Sequence, residues 1–197
     1  MTLGQLDQNI FLALNFDGGG GVAMDRLMWF FSAKAVWAPL YLLLLWMIVR
    51  KCGWRYALVV LLSVVVGVVA GDQICNFFKE TFQMPRPNRV VELRESMHLV
   101  WDPIKERLYL GGHYGTVSAH ATTTMLIYLI IGHALRERKG YWWLMGAWVV
   151  MVGWSRIYMA AHFPSQVLFG WVLGALLSGV ILWLSERFFG HLAEGRK

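Results

Sequence analysis

Residues 56–78 read YALVVLLSVVVGVVAGDQICNFF, and this stretch decides the class of fold. Asp72 is its only charged residue, and valine, leucine and alanine fill most of the other positions. An α-helix needs roughly 20 apolar residues to cross the hydrocarbon core of a bilayer. The stretch therefore predicts a membrane-spanning helix, and the rest of the chain is interpreted around it.

The composition of the whole chain also favours a membrane protein. Of 197 residues, 57% are hydrophobic and only 15% are charged, whereas soluble domains average about 45–50% and about 25%. These values exclude a disordered chain, a disulfide-stapled secreted scaffold and an ordinary cytosolic enzyme. The length predicts one membrane domain over residues 1–197.

Apolar segments long enough to span a bilayer recur along the chain. They cover residues 27–49, 56–78, 116–135, 141–160 and 164–184. The N-terminal segment, residues 1–25, is too polar to span and predicts an amphipathic helix lying in the membrane interface. We therefore expect an all-α, polytopic membrane helix bundle with about five transmembrane helices plus an N-terminal interfacial helix.

The distribution of charge predicts the orientation of the bundle. The joints at 50–55 and 136–140 and the C-terminal tail share one side and are strongly basic, whereas the other side is nearly neutral. The positive-inside rule then places the C-terminus in the cytoplasm. The long polar connection, residues 80–115, becomes an outward loop. Most of the net charge of +6 thus reflects topology, and we expect no nucleic-acid partner.

Polar residues near the ends of four predicted spans converge on the outward face, because successive spans alternate in direction. These residues are Lys79, Arg86, Ser118, His120, Ser155, Arg156 and His162. Taken singly, each residue also fits a structural explanation. A cation at a helix end commonly extends its side chain to the membrane interface, and a histidine commonly forms a hydrogen bond to a neighbouring helix. Their convergence at one membrane depth favours a shared site.

The residue types in this cluster indicate an anion site. Arginines such as Arg86 and Arg156 bind phosphate oxygens in pairs, and the amides of a helix that begins near Ser118 would add hydrogen bonds. His120 and His162 offer a nucleophile and a general acid. Because no carboxylate cluster accompanies them, we expect no metal ion and no other cofactor.

The spacing of these residues resembles the type 2 phosphatidic acid phosphatase (PAP2) superfamily. The chain reads Lys79-x6-Arg86-Pro87, then Ser118-Ala119-His120, then Ser155-Arg156-x5-His162. The family signatures are KxxxxxxRP, PSGH and SRxxxxxHxxxD. All three blocks occur in order between about residues 79 and 166, which makes the match highly specific.

The resemblance implies a role for each residue of the blocks. It implies that His162 attacks phosphorus to form a phosphohistidine, and that His120 acts as general acid and base. It also implies that three cations hold the phosphate oxygens while the start of the third span adds hydrogen bonds. The phosphate-binding residues would be Lys79, Arg86, Arg156, Ser118 and Ala119.

The chain departs from the family pattern at three points. Ala119 replaces the glycine of PSGH, so its backbone must tolerate a Cβ. Gln166 replaces the aspartate of HxxxD; its amide can orient His162 but cannot supply negative charge. The family commonly has six spans, whereas this chain has about five.

Two further groups of residues are candidates for substrate contact or support. Lys34 and Asp72 would lie at similar depth in neighbouring spans, so we expect either an ion pair or a Lys34 that reaches outward to a head group. The segment Gly111–Gly115 is either a lid or a turn into the third span, with His113 and Tyr114 as candidate substrate contacts.

Glycines in the fifth span, namely Gly170, Gly174 and Gly179, predict close helix packing.

The resemblance implies an integral membrane lipid phosphatase, a metal-independent hydrolase located in a bacterial inner membrane with its site facing the periplasm. Lipid A or undecaprenyl diphosphate is the favoured substrate, and phosphatidylglycerol phosphate or phosphatidic acid is the alternative. A lipid phosphotransferase could use the same phosphohistidine. The replacement at Gln166 leaves open a non-catalytic lipid-phosphate binding or transport protein. The expected partners are the lipid substrate and the bilayer. The sequence does not determine the oligomeric state.

Overall fold

Helices make up most of the chain in the computed structural model, which describes residues 2–16, 20–102, 105–136 and 138–189. The α-helices are α1 (Leu3–Asn15), α2 (Gly21–Ser32), α3 (Ala38–Cys52), α4 (Trp54–Phe82), α5 (Ala119–Ala134), α6 (Lys139–Tyr158) and α7 (Pro164–Phe189). Short 3-10 turns lie at Lys34–Trp37, Pro87–Arg89 and Val91–Leu93, and β1 (Trp101–Asp102) pairs antiparallel with β2 (Arg107–Leu108). The C-terminal tail beyond Phe189, used above to predict orientation, lies outside the described residues, as do parts of the predicted segments 1–25 and 80–115.

The all-α prediction is confirmed, and the apolar helices make this a membrane protein. Among the described residues, three helical segments are long and apolar enough to cross a bilayer: Lys34–Cys52, Trp54–Phe82 and Pro164–Phe189. The third predicted span corresponds to α5, which has 16 residues, and the fourth corresponds to α6. The count of five transmembrane helices stays a prediction.

The first predicted span, residues 27–49, is wrong as one continuous helix. The chain becomes extended at Ala33 (φ −79°, ψ 113°) and passes through a 3-10 turn before α3 begins. Pro39 lies in the first turn of α3. Proline has no amide hydrogen and its ring clashes with the carbonyl four residues earlier, so a helix cannot run through it undisturbed, whereas the first turn tolerates it.

Helix α5 occupies the centre of the bundle, where it packs against α3, α4, α6 and α7. It is apolar on all sides, as expected of a helix surrounded by others. Two of its hydroxyl groups are satisfied within the helix: Thr122 donates to the Ser118 carbonyl (3.1 Å) and Thr124 donates to the Ala121 carbonyl (3.2 Å). The central position of α5 brings its N-terminus to the end of the bundle where α4 and α6 finish.

Glycines allow α7 to approach α5 closely. A Cβ added at Gly170 would lie 2.6 Å from the Ser118 carbonyl oxygen, and one added at Gly174 would lie 2.5 Å from that of Thr122. The packing role predicted for these two glycines is confirmed. Gly179 has nothing within 4 Å of such a Cβ, so the predicted packing role is not found there.

The N-terminal helix α1 docks on the same end of the bundle. Phe11 is fully buried and meets the ring of Phe163 edge-on, with centroids 5.4 Å apart. Asp7 accepts hydrogen bonds from the amide and hydroxyl of Ser165, in the first turn of α7. A carboxylate at this position satisfies a free amide and complements the helix dipole. The interfacial position of α1 remains a prediction.

The contact between α5 and α7 yields a prediction about stability. Gly174→Ala should lower the unfolding temperature in detergent by several degrees, because overpacking against a backbone carbonyl costs about 1–3 kcal/mol. Gly179→Ala is the matched control and should be neutral or slightly stabilising, since alanine is the better helix former. Equal unfolding temperatures for the two variants would contradict the assigned packing.

Candidate active site

The end of α6 turns His162 back into the bundle. After Tyr158 the chain leaves the helix through Ala160, which has the left-handed φ of 50°. The Arg156 carbonyl accepts the amides of both Ala161 (3.0 Å) and His162 (3.2 Å). These bonds satisfy the exposed end of the helix and leave His162 only 2% exposed.

Gln166 determines which nitrogen of His162 carries the proton. The Gln166 Oε1 atom lies 3.1 Å from His162 Nδ1 and also accepts the amide of Phe163. The Gln166 Nε2 atom donates to the Pro85 carbonyl, which sets the orientation of the amide. A carbonyl oxygen is an acceptor only, so Nδ1 must be the donor and Nε2 carries the lone pair.

The surroundings of His162 favour its neutral form. Burial lowers the pKa of His162 well below its ordinary value, and the positive charges of Arg86 and Arg156 lower it further. The hydrogen bond to Gln166 acts in the opposite direction but is outweighed. His162 is therefore neutral near pH 7, the form in which Nε2 can act as a nucleophile.

Arg86 is anchored through neutral backbone acceptors. Its Nε donates to the Tyr114 carbonyl (3.0 Å) and its Nη1 donates to the Ala161 carbonyl (3.2 Å). The glycine segment predicted as a lid or a turn packs around this side chain: a Cβ at Gly111 would lie 3.0 Å from Nη1, and Gly111 has a φ of +58°. The backbone of the segment therefore positions Arg86.

Arg156 is nearly buried and held by two side chains that the sequence did not indicate. Its Nη1 contacts the Ser32 hydroxyl, and its Nη2 donates to the Tyr109 hydroxyl (2.6 Å). The guanidinium also lies over the Tyr109 ring, 5.3 Å from the centroid. Neither partner belongs to the three signature blocks, and the length of the 80–115 loop was the only signal that pointed towards Tyr109.

The N-terminus of α5 faces the same site. Ser118 caps the helix through its hydroxyl, which accepts the Ala121 amide, and its own amide donates to the Gln166 carbonyl (3.0 Å). Ala119 is the first helical residue and does not have a positive φ. Its Cβ is thus tolerated, which explains why alanine can replace the glycine of the signature.

Lys79 and His120 complete the cluster from two helix ends. Lys79, in the last turn of α4, donates to the Asn76 side-chain oxygen (3.2 Å), and the charge of Arg86 acts on it. His120, in the first turn of α5, lies beside Arg156 and the Ser32 carbonyl. The alternating helices thus bring all three signature blocks to one end of the bundle.

The predicted ion pair between Lys34 and Asp72 is wrong. Within the part of the chain that the structure describes, no carboxylate lies within ion-pair distance of Lys34, and Asp72 instead accepts a hydrogen bond from Asn76 (3.3 Å). The break before α3 moves Lys34 out of the continuous helix that the pairing assumed.

His113 is exposed, and its ring centroid lies 6.4 Å from that of Tyr114.

The three clustered cations repel one another, and among the described residues the acid that acts on Lys79 is Asp72, which lies beyond ion-pair distance. Arg86 feels the charge of Arg156, and Lys79 feels that of Arg86. No carboxylate among the described residues forms an ion pair with any of them, and the same residues contain no group of three metal-ligating side chains. Such an arrangement can bind a dianion and place it next to a neutral imidazole.

Comparisons with known proteins identify the architecture around this site. A lipid A 4'-phosphatase from Porphyromonas gingivalis is 28% identical over 94% of this chain and 77% of its own length. The corresponding enzyme from Bacteroides thetaiotaomicron is 26% identical over 94% and 78%. An undecaprenyl-diphosphatase from Sulfolobus acidocaldarius is 26% identical over 79% and 68%.

A solved structure shares the fold. The transmembrane PAP2 type phosphatidylglycerolphosphate phosphatase from Bacillus subtilis superposes with a TM-score of 0.65 at 19% identity, covering 92% of this chain and 87% of its own. The PAP2 superfamily profile matches residues 53–189, a range that contains all three signature blocks. The chain therefore belongs to the PAP2 superfamily.

Proposed function

We propose that the protein is a membrane lipid phosphatase that releases phosphate from a lipid phosphate or diphosphate through a phosphohistidine intermediate. One observation carries the proposal: the neutral His162, whose Nδ1 is held by Gln166, lies close enough to Arg86 and Arg156 to feel their charges, and no carboxylate among the described residues forms an ion pair with either arginine. A dianionic phosphate would offset the repulsion between these cations and bring its phosphorus within reach of the nucleophile. Superfamily membership supports the same chemistry.

In the first step, the lone pair on His162 Nε2 attacks phosphorus and the bond to the leaving oxygen breaks. The electron pair of that bond stays on the leaving oxygen, which takes a proton from His120 whether the product is an alcohol or a lipid monophosphate. Lys79, Arg86 and Arg156 bind the three oxygens on which charge is spread in the transition state. The amides at the start of α5 add further hydrogen bonds.

In the second step, water attacks the phosphorus of the phosphohistidine. His120, now neutral, accepts the proton of the water, and the electron pair of the phosphorus–nitrogen bond returns to Nε2 of His162. Phosphate and the starting enzyme are regenerated. Gln166 keeps the proton on Nδ1 throughout, so its amide serves orientation in place of the family aspartate.

The substrate proposal follows from the relatives. The relatives described above are lipid A 4'-phosphatases and an undecaprenyl-diphosphatase. Their substrates favour lipid A or undecaprenyl diphosphate over phosphatidylglycerol phosphate and phosphatidic acid as the substrate of this protein. The cluster lies at the ends of the apolar helices, where a lipid head group can reach it while its tails stay in the bilayer. A phosphotransferase would use the same intermediate with a lipid phosphate in place of water.

We also propose that the protein lies in a bacterial inner membrane with this site facing the periplasm. The basic residues Arg50, Lys51, Arg136 and Arg138 lie at the opposite end of the helices from His162. The positive-inside rule assigns that basic end to the cytoplasm.

His162→Ala should abolish phosphate release from every lipid that the wild-type protein hydrolyses, because the nucleophile is lost. The measurement is phosphate release from purified protein in EDTA-containing buffer with lipid A, undecaprenyl diphosphate, phosphatidylglycerol phosphate and phosphatidic acid. Acid-quenched wild type should retain label from a ³²P-substrate, whereas the variant should not. Wild-type turnover by a folded His162→Ala protein would contradict the mechanism, and strict dependence on a divalent ion would contradict the absence of a metal.

Changes at Gln166 should separate orientation from charge. Gln166→Leu removes the acceptor for His162 Nδ1 and should lower kcat by at least about 100-fold, since loss of tautomer control is costly in related His-dependent sites. Gln166→Glu keeps an acceptor but adds negative charge, which raises the pKa of His162. His162 must be neutral to attack, so the acid limb of kcat/KM should move to higher pH in Gln166→Glu. An unchanged pH profile would contradict the assigned nucleophile.

Labelling of single cysteines should test the orientation. With Cys52 and Cys75 replaced by serine, His113→Cys on the site side should react with a membrane-impermeant maleimide in intact spheroplasts. Arg138→Cys at the opposite end should react only after lysis. The reverse pattern would show that the site faces the cytoplasm.

A further inference from the structure

An apolar cavity of about 480 Å³ lies between α3, α4, α5 and α6. One end is formed by Ser32, Lys34 and His120, and the other is lined by Ile48 and Ile131. Its volume falls in the range of pockets that take a single small-molecule-sized group. The polar end of the cavity thus coincides with the catalytic cluster.

The cavity lies on the side of His120 and not on that of His162. His120 lines it, whereas His162 does not, although the two rings are close enough to interact electrostatically. In an in-line displacement, the leaving group departs on the face of phosphorus opposite the nucleophile. A substrate attacked in line by His162 would place its leaving part at the end of the cavity formed by Ser32, Lys34 and His120.

Lys34 is a fourth cation at this leaving-group end. Its side chain is exposed, its charge acts on both His120 and Lys79, and no carboxylate in the described ranges pairs with it. It precedes the region matched by the superfamily profile, residues 53–189. The break at Ala33 and the 3-10 turn that follows place it at the cavity mouth.

We propose that Lys34 determines specificity by binding an anionic group on the leaving part of the substrate, so that lipid diphosphates are preferred to lipid monophosphates. This inference rests on the proposed function and names the substrate class of the same site: of the two substrates favoured there, it selects undecaprenyl diphosphate over the single 4'-phosphate of lipid A. Lys34 lines the cavity together with His120, whereas Lys79, Arg86 and Arg156 do not line it. The charge of Lys34 is therefore available to a second phosphate joined to the first.

The chemistry of the two substrate classes explains the selectivity. In a diphosphate, the bond between the terminal phosphorus and the bridging oxygen breaks, and its electron pair stays on that oxygen. The leaving group is then a lipid monophosphate that stays anionic even after His120 has protonated the bridging oxygen, and a nearby ammonium stabilises it. In a lipid monophosphate, the leaving oxygen becomes a neutral alcohol after taking a proton from His120, and Lys34 contributes little.

The test compares two substrates that share one hydrocarbon chain, farnesyl diphosphate and farnesyl monophosphate, with purified full-length protein in detergent. Lys34→Gln should lower kcat/KM for the diphosphate about tenfold or more, the scale of one charge-assisted hydrogen bond, and change the value for the monophosphate much less. Lys34→Arg should retain the preference for the diphosphate. Arg50→Gln, which removes a cation at the other end of α3, is the matched control and should affect neither substrate.

The outcomes separate this inference from the proposed function. An equal decrease for both substrates, or no decrease for either, in a Lys34→Gln protein with the wild-type unfolding temperature would overturn the role of Lys34 and leave the phosphatase proposal intact. A wild-type protein that releases phosphate from neither these lipids nor the natural lipid phosphates would overturn the proposed function, and the role of Lys34 with it.

Discussion

The repulsion between Arg86 and Arg156 is the constraint around which the rest of the site is organised. Two guanidinium groups are held close together at the end of an apolar bundle, and neutral acceptors hold them there: backbone carbonyls for Arg86, and the hydroxyls of Ser32 and Tyr109 for Arg156. Carboxylates in those places would neutralise the pair. Neutral acceptors fix the geometry and leave the positive charge for an anion.

The same preference for neutral partners explains the amide at Gln166. An acid there would favour a protonated His162 and would offset part of the attraction that the cations exert on phosphate. The amide keeps the ring oriented, and burial with two nearby arginines keeps it neutral. The replacement of aspartate by Gln166 therefore fits its surroundings. Neutral hydrogen-bond partners orient the His162 ring, and the positive charge of the arginines stays available to bind the substrate phosphate.

The three signature blocks could be located from the sequence because their chemistry is local to helix ends, and helix ends follow from hydrophobic periodicity. The structure indeed brings Arg86, His120 and His162 to one end of the bundle. Part of what could not be predicted depends on a single backbone event, the break between Ala33 and Pro39. A hydropathy pattern averages over a short break, so it hid the turn that carries Ser32 to Arg156 and separates Lys34 from Asp72. Tyr109 was missed because an irregular loop has no periodicity to interpret.

The docking of α1 has a consequence for the order of assembly during synthesis. Asp7 and Ser165 are 158 residues apart in the chain, and Asn15 and Tyr158 are 143 apart. Helix α1 emerges from the ribosome before α6 and α7, yet the surface that receives it exists only after α6 and the start of α7 have been made. Contacts of such long range form late. Helix α1 is thus translated before the surface on which it docks, and the turn that carries His162 gains the support of α1 only after α6 and the start of α7 have been made.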